Sequence, residues 1–229
     1  MIAGGAAAAV LAVVGQGAAT WYRYGRVTPG AGNDALLDRF MPSYEVRERH
    51  EVRVAAPVDV TFAVARELGL SQSPLVRAIF RGRELLMGAT GKRDEAPPRP
   101  LLEEVLSLGW RTLAEEAGRE IVVGAVTQPW QSNVIFRGIP SESFAAFAEP
   151  EYAKIVWTLA AEPLGPGRSV FRTETRVATT SPSARMKFRR YWAMVSPGVR
   201  VIRHEILRLV KREAERRALI SSPQSDRAS

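Results

Sequence analysis

The sequence predicts one α+β domain in which an antiparallel β-sheet packs against a long C-terminal α-helix. Between residues 44 and 180, several segments alternate apolar and polar residues, as strands with one buried face do. After residue 196, apolar residues recur at helical spacing, opposite a row of arginines and lysines. The chain has 229 residues, 46% of them hydrophobic, which is enough to bury one core of ordinary size.

The first 24 residues form an apolar segment long enough to cross a bilayer as a helix. No charged side chain lies between Ile2 and Tyr22, and the aromatic residues at its end precede Arg23 and Arg26. An uncleaved membrane anchor is the preferred interpretation, and a cleaved signal peptide or a soluble extension are the alternatives. Because the arginines follow the segment, we expect a membrane-associated protein whose main domain lies in the cytoplasm.

Composition divides the rest of the chain into a linker, a folded body and a tail. Residues 25–40 begin with a stretch rich in glycine and proline and are assigned to a linker, although packing is expected from about Leu36 onward. The body is predicted to span residues 41–220. Residues 221–229 form a polar tail that is expected to be disordered.

The elements of the body are predicted in the order strand, helices, strands and helix. The predicted strands are residues 44–55, 110–116, 120–126, 133–139, 152–162 and 169–180. The predicted helices are residues 57–68, 75–87, 101–108, a turn at 141–147, and about 197–217. Ser196 followed by Pro197 is a typical helix start, a capping side chain before a proline at the first helical position.

Three short stretches add a resemblance to a known family. They are RHEVRVAAPVDVTF at residues 49–62, TETRV at residues 173–177, and the closing segment 188–215 with its YW and IR pairs. Together with the element order, they resemble the START-like, polyketide-cyclase-related superfamily called SRPBCC, over about residues 41–217. The resemblance implies a helix-grip fold, in which a curved antiparallel sheet wraps around the C-terminal helix and encloses a hydrophobic cavity. It also implies binding of lipids, polyketides or other apolar molecules and, in some members, cyclase or hydrolase-type activity.

The candidate ligand-binding residues combine aromatic side chains with three polar ones. Strand alternation places His50 on an apolar face, where it needs a polar partner such as Glu48, Glu174 or Arg176. The alternation near Glu174 leaves open which side of its strand faces the cavity. For Glu174 the alternative role is a structural ion pair, and for the aromatic residues it is core packing. The candidates are His50, Trp110, Trp130, Trp157, Phe171, Glu174 and Arg176.

The sequence excludes several kinds of chemistry. It has no cysteine and only two histidines, so thiol, iron–sulfur and multi-histidine metal sites are not expected. It also contains no nucleotide-binding or classical hydrolase motif. We therefore predict no catalytic residue, no metal and no cofactor. The expected function is a membrane-tethered binding protein for a hydrophobic or amphipathic small molecule, lipid or polyketide-like. The alternatives are a cyclase or hydrolase-type enzyme using the same cavity, and a structural module whose cavity is filled.

The net charge of +8 is concentrated in one segment. Residues 182–220 contain eleven arginines and lysines against three glutamates, so the rest of the chain is close to neutral. A basic helix on a neutral body is most simply a solvated face. An anionic membrane surface is the alternative partner of this helix, and no specific binding of nucleic acid is expected.

Overall fold

The structure is a computed structural model that describes residues 19–22, 24–25, 34–69 and 99–221. The predicted helix at residues 75–87 and the tail from residue 222 lie outside the described residues, as do residues 1–18 of the N-terminal segment. Among the described residues, no helix is long and apolar enough to cross a membrane. This finding contradicts the predicted membrane localisation through an N-terminal helix. The alanines and glycines that dominate that segment transfer into lipid only weakly.

Six strands form one antiparallel sheet. Five of them lie in the order β1-β6-β5-β3-β2, and the short β4 pairs with β3. The strands are β1 Val46–Val54, β2 Arg111–Glu116, β3 Glu120–Thr127, β4 Phe136–Arg137, β5 Ala153–Gly165 and β6 Arg168–Thr179. All six were predicted, although β4 is much shorter than residues 133–139.

Residues 19–22 are helical, and the described residues contain five further helices, of which the last is much longer than the others. They are α1 Ala35–Asp38, α2 Val58–Glu67, α3 Leu101–Ser107, α4 Ser141–Phe144 and α5 Pro182–Ser221. The C-terminal helix α5 contacts β1, β5 and β6, and α2 packs against both α5 and the sheet. A sheet gripping a long C-terminal helix is the helix-grip architecture, so the predicted START-like fold is confirmed.

The C-terminal helix α5 begins at Pro182 rather than near Pro197. Ser181 and Pro182 form the same cap-and-proline pair as Ser196 and Pro197, and Ser181 Oγ accepts a hydrogen bond of 3.1 Å from the Ala184 amide. Pro197 lies inside the helix, where it removes one main-chain donor. Buried side chains on both sides of it, including Phe188 and Ile206, hold the helix against the sheet. Tertiary packing therefore keeps the helix continuous through Pro197, where the local sequence favours the start of a new helix.

The two faces of the sheet pack against different parts of the chain. We call the face that packs against α5 the inner face and the opposite one the outer face. On the inner face, one apolar cluster joins β5 and β6 to the second half of α5. It contains Trp157, Leu159, Phe171, Ile206, Leu207 and Val210, together with Phe62 and Val64 from α2. A second inner cluster joins Val46, Ala153 and Val177 to Phe188 and Trp192 in the first half of α5.

The outer face is covered by the segment that precedes β1. Leu37, Phe40 and Met41 are buried against Val122 and Val156, and Phe144 from α4 closes the same cluster. Asp34 begins the segment, and its side chain accepts a hydrogen bond of 2.9 Å from the Leu37 amide. Part of the predicted linker, from residue 34 to residue 40, thus packs as part of the body. The division of the chain into domains stays a prediction.

The position of α5 gives a direct stability test. Ile206 is 1% exposed in the first inner cluster, so Ile206→Asp buries an unpaired carboxylate and should lower the free energy of unfolding by about 3 kcal/mol or more. Val201 on the same helix is 43% exposed, and Val201→Asp should cost less than about 1 kcal/mol. Urea denaturation measures both variants. Equal losses in the two would contradict the packing of α5 on the sheet.

Candidate functional site

The register of β6 separates the polar candidates between the two faces. His50 pairs with Thr173 across β1 and β6, and Thr175 pairs with Trp157 across β6 and β5, so these side chains share the inner face. Glu174 and Arg176 lie between them in sequence and point to the outer face. The predicted cluster of His50, Glu174 and Arg176 in one cavity is therefore not formed, because side chains alternate along a strand.

Glu174 is fully buried in an ion network on the outer face. Arg47 donates to both of its carboxylate oxygens, at 2.8 and 3.0 Å, and Arg176 donates to Oε1 at 2.8 Å. Arg176 also donates to Asp38 Oδ1 at 2.5 Å and to the Met41 carbonyl at 2.9 Å. These contacts fasten the segment before β1 onto the sheet and pair the buried charges. They are structural contacts and leave Glu174 little capacity to orient a ligand.

Arg172 organises a second group of charges on the outer face. It bonds to Asp34, to Glu162 at 3.1 Å and to Glu120 at 3.4 Å. Burial and the nearby Asp34 charge raise the pKa of Glu120 to about 6. The pKa of Asp34 is lowered: burial opposes this, but the Leu37 amide and the Arg172 guanidinium favour the carboxylate. The raised carboxyl pKa on this face thus belongs to a covered ion pair, away from His50.

The aromatic candidates lie in three different places. Trp157 and Phe171 are buried in the first inner cluster, and Trp110 packs on its edge with its ring 5.3 Å from that of Phe136. Trp130 packs on the second inner cluster. All four are in contact with core side chains, so they form the apolar walls of the inner face. Their predicted role in ligand binding stays a prediction.

Between the two inner apolar clusters lies a band of polar side chains, which we call the polar band. On β1, Glu48 and His50 separate Val46 from Val52, which belong to different clusters. On β6, Thr173 and Thr175 separate the two clusters in the same way, and on α5 Arg200 and Arg203 do so. The polar band consists of Glu48, His50, Thr173, Thr175, Arg200 and Arg203.

Hydrogen bonds connect the sheet side of the polar band to its helix side. Arg200 donates to Glu48 Oε1 at 3.1 Å, and Arg203 donates to Thr175 Oγ1 at 2.6 Å. The Arg203 guanidinium also lies 5.0 Å from the centre of the Trp157 ring, whose indole nitrogen donates to Thr173 Oγ1 at 2.6 Å. The band therefore crosses the interior as a connected polar layer.

His50 is the incompletely satisfied member of this layer. Its Nε2 atom is buried and lies 3.4 Å from Glu48 Oε2, a contact that is long for a hydrogen bond, and it has no shorter one within the described part of the chain. Its ring meets that of His204 at a centroid distance of 5.1 Å. Burial alone would raise the pKa of Glu48, but the adjacent His50 imidazole and Arg200 guanidinium lower it below its usual value. Glu48 is accordingly a charged partner in an ion pair.

Arg203 is the second unusual group of the polar band. Burial lowers its pKa to about 10, and only the more distant charge of Glu48 opposes this shift. In the residues that the structure describes, no carboxylate lies within ion-pair distance of the Arg203 guanidinium. It remains charged at neutral pH, because a pKa of about 10 is well above 7. The band thus contains a desolvated cation whose described contacts are a hydroxyl and an aromatic ring.

A separate cavity of about 430 Å³ lies at the start of α5. The Trp21 carbonyl accepts a hydrogen bond of 2.9 Å from Arg189, whose guanidinium also lies 4.1 Å from the centre of the Trp21 ring. None of the seven candidate residues lines this cavity. Its lining residues are Trp21, Tyr24, Pro182, Arg185, Met186, Arg189 and Arg190.

Sequence reasoning missed the role of Arg203, which was expected on the solvent side of the terminal helix. The spacing of residues along the helix did indicate that Arg203 faces the sheet. Residues 196, 200, 203, 207, 210 and 214 are separated by four and three positions and all belong to the side of α5 that meets the sheet. Arginine at two of these positions marks a polar interruption of a buried stripe.

Comparisons with known proteins find similarity of fold. No protein-family model matches the chain, and no curated protein matches it by sequence. Among solved structures, a hypothetical protein from Helicobacter pylori aligns with 82% of this chain and 98% of its own, at 9% identity and a TM-score of 0.39. Norcoclaurine synthase from Thalictrum flavum aligns with 87% of this chain and 99% of its own, at 14% identity and a TM-score of 0.34. A START superfamily protein from Mycobacterium smegmatis aligns with 77% of this chain and 99% of its own, at 12% identity and a TM-score of 0.27. At such scores these likenesses carry nothing about ligand or reaction.

The outer position of Glu174 predicts a purely structural phenotype. Glu174→Ala removes the carboxylate that pairs with both Arg47 and Arg176 in the buried network and should lower the free energy of unfolding by about 3 kcal/mol or more. Binding of an apolar dye to the folded variant should be unchanged, because Glu174 does not face the helix. Thermal melting and dye titration separate the two effects. Loss of binding without loss of stability would show that Glu174 contacts a ligand.

Proposed function

We propose that this protein binds a hydrophobic or amphipathic small molecule between the inner face of the sheet and α5, with the polar part of the molecule at the polar band. The helix-grip arrangement supports the location, since it sets a long helix across a broad apolar sheet face. The two inner clusters supply apolar walls, and the band between them supplies hydrogen-bonding groups. Small-molecule sites commonly combine apolar walls with a few such polar groups.

The observation that carries the proposal is the buried His50 Nε2 atom, whose contact with Glu48 Oε2, at 3.4 Å, is long for a hydrogen bond. A buried nitrogen that is poorly bonded carries part of a desolvation cost of about 1 to 3 kcal/mol, and native proteins rarely keep one without a purpose. It lies in the layer that already contains Thr173 and Thr175, whose hydroxyls each have further hydrogen-bonding capacity. A polar group of the ligand that bonds Nε2 removes the cost.

A cyclase or hydrolase-type enzyme is the first alternative, with a carboxylate or His50 as acid and base. Such a role would favour a carboxyl group near His50 whose pKa is raised towards neutrality. Glu48, the carboxylate next to His50, has a lowered pKa. Its pairing with Arg200 suits ligand orientation better than proton transfer.

A structural module with a filled interior is the second alternative. The packing of Trp157 and Phe171 directly against Ile206 and Leu207 favours it at one end of α5. The polar band favours ligand binding instead, because a module without a ligand gains little from a partly buried cation and from an imidazole nitrogen whose contact with Glu48 is long.

Contact of the basic helix α5 with an anionic membrane surface stays a separate prediction. Several of its cations are already paired within the helix, among them Arg208 with Glu205, at 2.8 Å, and Lys211 with Glu215, at 2.7 Å. Such pairing lowers the charge available to a lipid surface. The binding proposal does not depend on this contact.

Native mass spectrometry of gently purified protein and titration with the uncharged dye Nile red test the proposal. We expect a co-purified small molecule or saturable binding of one dye per chain. His50→Phe keeps a ring in place but removes the buried nitrogen. It should leave the free energy of unfolding without ligand unchanged or raise it by about 1 kcal/mol, and weaken binding of the co-purified molecule about fivefold.

Glu51→Gln is the matched control, since Glu51 is exposed and is the next residue on the opposite face of β1. Glu51→Gln should change neither the free energy of unfolding nor the binding of the co-purified molecule. Absence of any bound molecule and of saturable dye binding would favour the filled module and reject the binding proposal. Equal binding by wild type and His50→Phe would reject the polar band as the site.

A further inference from the structure

We infer that Arg203 anchors an oxyanion headgroup of the ligand, a carboxylate or phosphate attached to an apolar body. This inference rests on the proposed function and specifies the class of ligand. It follows from three properties of Arg203: its position on the inner side of α5, its lack of a carboxylate partner in the described chain, and its apolar surroundings.

The position of Arg203 makes its guanidinium available in the interior. The residue lies on the side of α5 that faces β5 and β6, and it donates one hydrogen bond to Thr175 while resting over the Trp157 ring. A guanidinium carries five N–H donors in a planar fork that matches the two oxygens of a carboxylate or phosphate. The contact with Thr175 uses one of these donors. Arg203 is only partly buried as a whole residue, so a ligand can reach it.

The charge balance of the polar band distinguishes Arg203 from its neighbours. Arg200, one turn earlier, is paired with Glu48, and Arg208, further along, is paired with Glu205. On the outer face, Arg172 and Arg176 are each surrounded by carboxylates. In the part of the chain that the structure describes, the partly buried Arg203 guanidinium has no carboxylate within ion-pair distance. An incoming oxyanion supplies that missing partner.

The surroundings of Arg203 select the rest of the ligand. Its neighbours on the inner face are the apolar clusters on both sides of the polar band, which include Trp157 and Phe171 on one side and Val177 and Trp192 on the other. These four side chains are at most 7% exposed, so they are already packed in the protein without ligand. An oxyanion on a hydrocarbon body satisfies the guanidinium and, where the body displaces part of this packing, replaces apolar contacts with apolar contacts.

A set of ligands that differ only in the headgroup tests the assignment. Tetradecanoic acid, tetradecyl phosphate and tetradecanol compete with Nile red for full-length wild-type protein at neutral pH. We expect the acid or the phosphate to bind at least about tenfold more tightly than the alcohol, since a charge-assisted hydrogen bond contributes more than a neutral one. The order of acid and phosphate identifies which oxyanion the site prefers.

Variants of Arg203 link the preference to this side chain. Arg203→Gln should reduce the preference of acid over alcohol to about twofold or less, while alcohol binding stays close to wild type. Arg203→Lys keeps the charge without the planar fork and should retain part of the preference. The melting temperature of ligand-free Arg203→Gln should be unchanged or higher, because the substitution removes a desolvated charge. Arg208→Gln, on the exposed side of the same helix, is the matched control and should keep the full preference.

The outcomes separate this inference from the proposed function. If Nile red and all three ligands bind wild type equally, or if Arg203→Gln keeps the preference, Arg203 does not anchor an oxyanion, although the binding function stands. If neither the dye nor any ligand binds, the proposed function fails and the inference fails with it. A lowered melting temperature in Arg203→Gln with an unchanged preference would make Arg203 a structural residue.

Discussion

The placement of β6 between β1 and β5 is the constraint on which the rest of the structure depends. Both faces of β6 are covered, so alternate residues enter two separate environments. Thr173 and Thr175 enter the space below α5, and Arg172, Glu174 and Arg176 enter the outer face. A shift of one residue in register would exchange these two sets, placing three charges against the helix. The pairing of β6 thereby decides which polar groups enter the outer ion network and which enter the polar band.

The two faces of the sheet differ in how completely their buried charged groups are paired. On the outer face, Arg176 bonds to Glu174, Asp38 and a main-chain carbonyl, and the segment before β1 supplies the last two of these partners. Removal of one partner there leaves a buried charge with fewer compensating contacts, which makes the network costly to break. On the inner face, Arg203 and His50 have fewer partners among the described residues than those of the outer network have. Incomplete pairing of this kind lowers stability unless binding makes use of it, and strained or unsatisfied groups tend to concentrate at functional sites.

The fold was predictable from local patterns, while the assignment of faces was not. Period-two alternation located the strands, and the apolar stripe after residue 196 located α5. Alternation in β6 divided its side chains into two sets, and the sequence did not indicate which set faces α5. The charged set can be buried because it pairs with distant residues such as Asp38, and no local pattern reveals such pairs. The start of α5 was misplaced since Ser181–Pro182 and Ser196–Pro197 carry the same signal, and only tertiary packing decides between them.

The candidate site was predictable only in part, because several of its contacts join residues that are far apart in the sequence. His50 stood out because a polar residue interrupted an apolar strand face. Arg203 was assigned to solvent because basic residues are common on both sides of it, although its spacing from residues 196, 207 and 210 places it towards the sheet. Arg200 pairs with Glu48 across 152 residues of sequence, and among the described residues this leaves Arg203 without a carboxylate at ion-pair distance. Such long-range competition for partners is set by the fold as a whole.

The central claim is that ligand chemistry is confined to the polar band of the inner face. Nuclear magnetic resonance of the arginine Nε–Hε groups tests it most directly, during titration of labelled protein with tetradecanoic acid. We expect the Arg203 resonance to shift on binding and the resonances of Arg172 and Arg176 to stay in place. Binding accompanied by shifts of Arg172 or Arg176, with Arg203 unmoved, would contradict it.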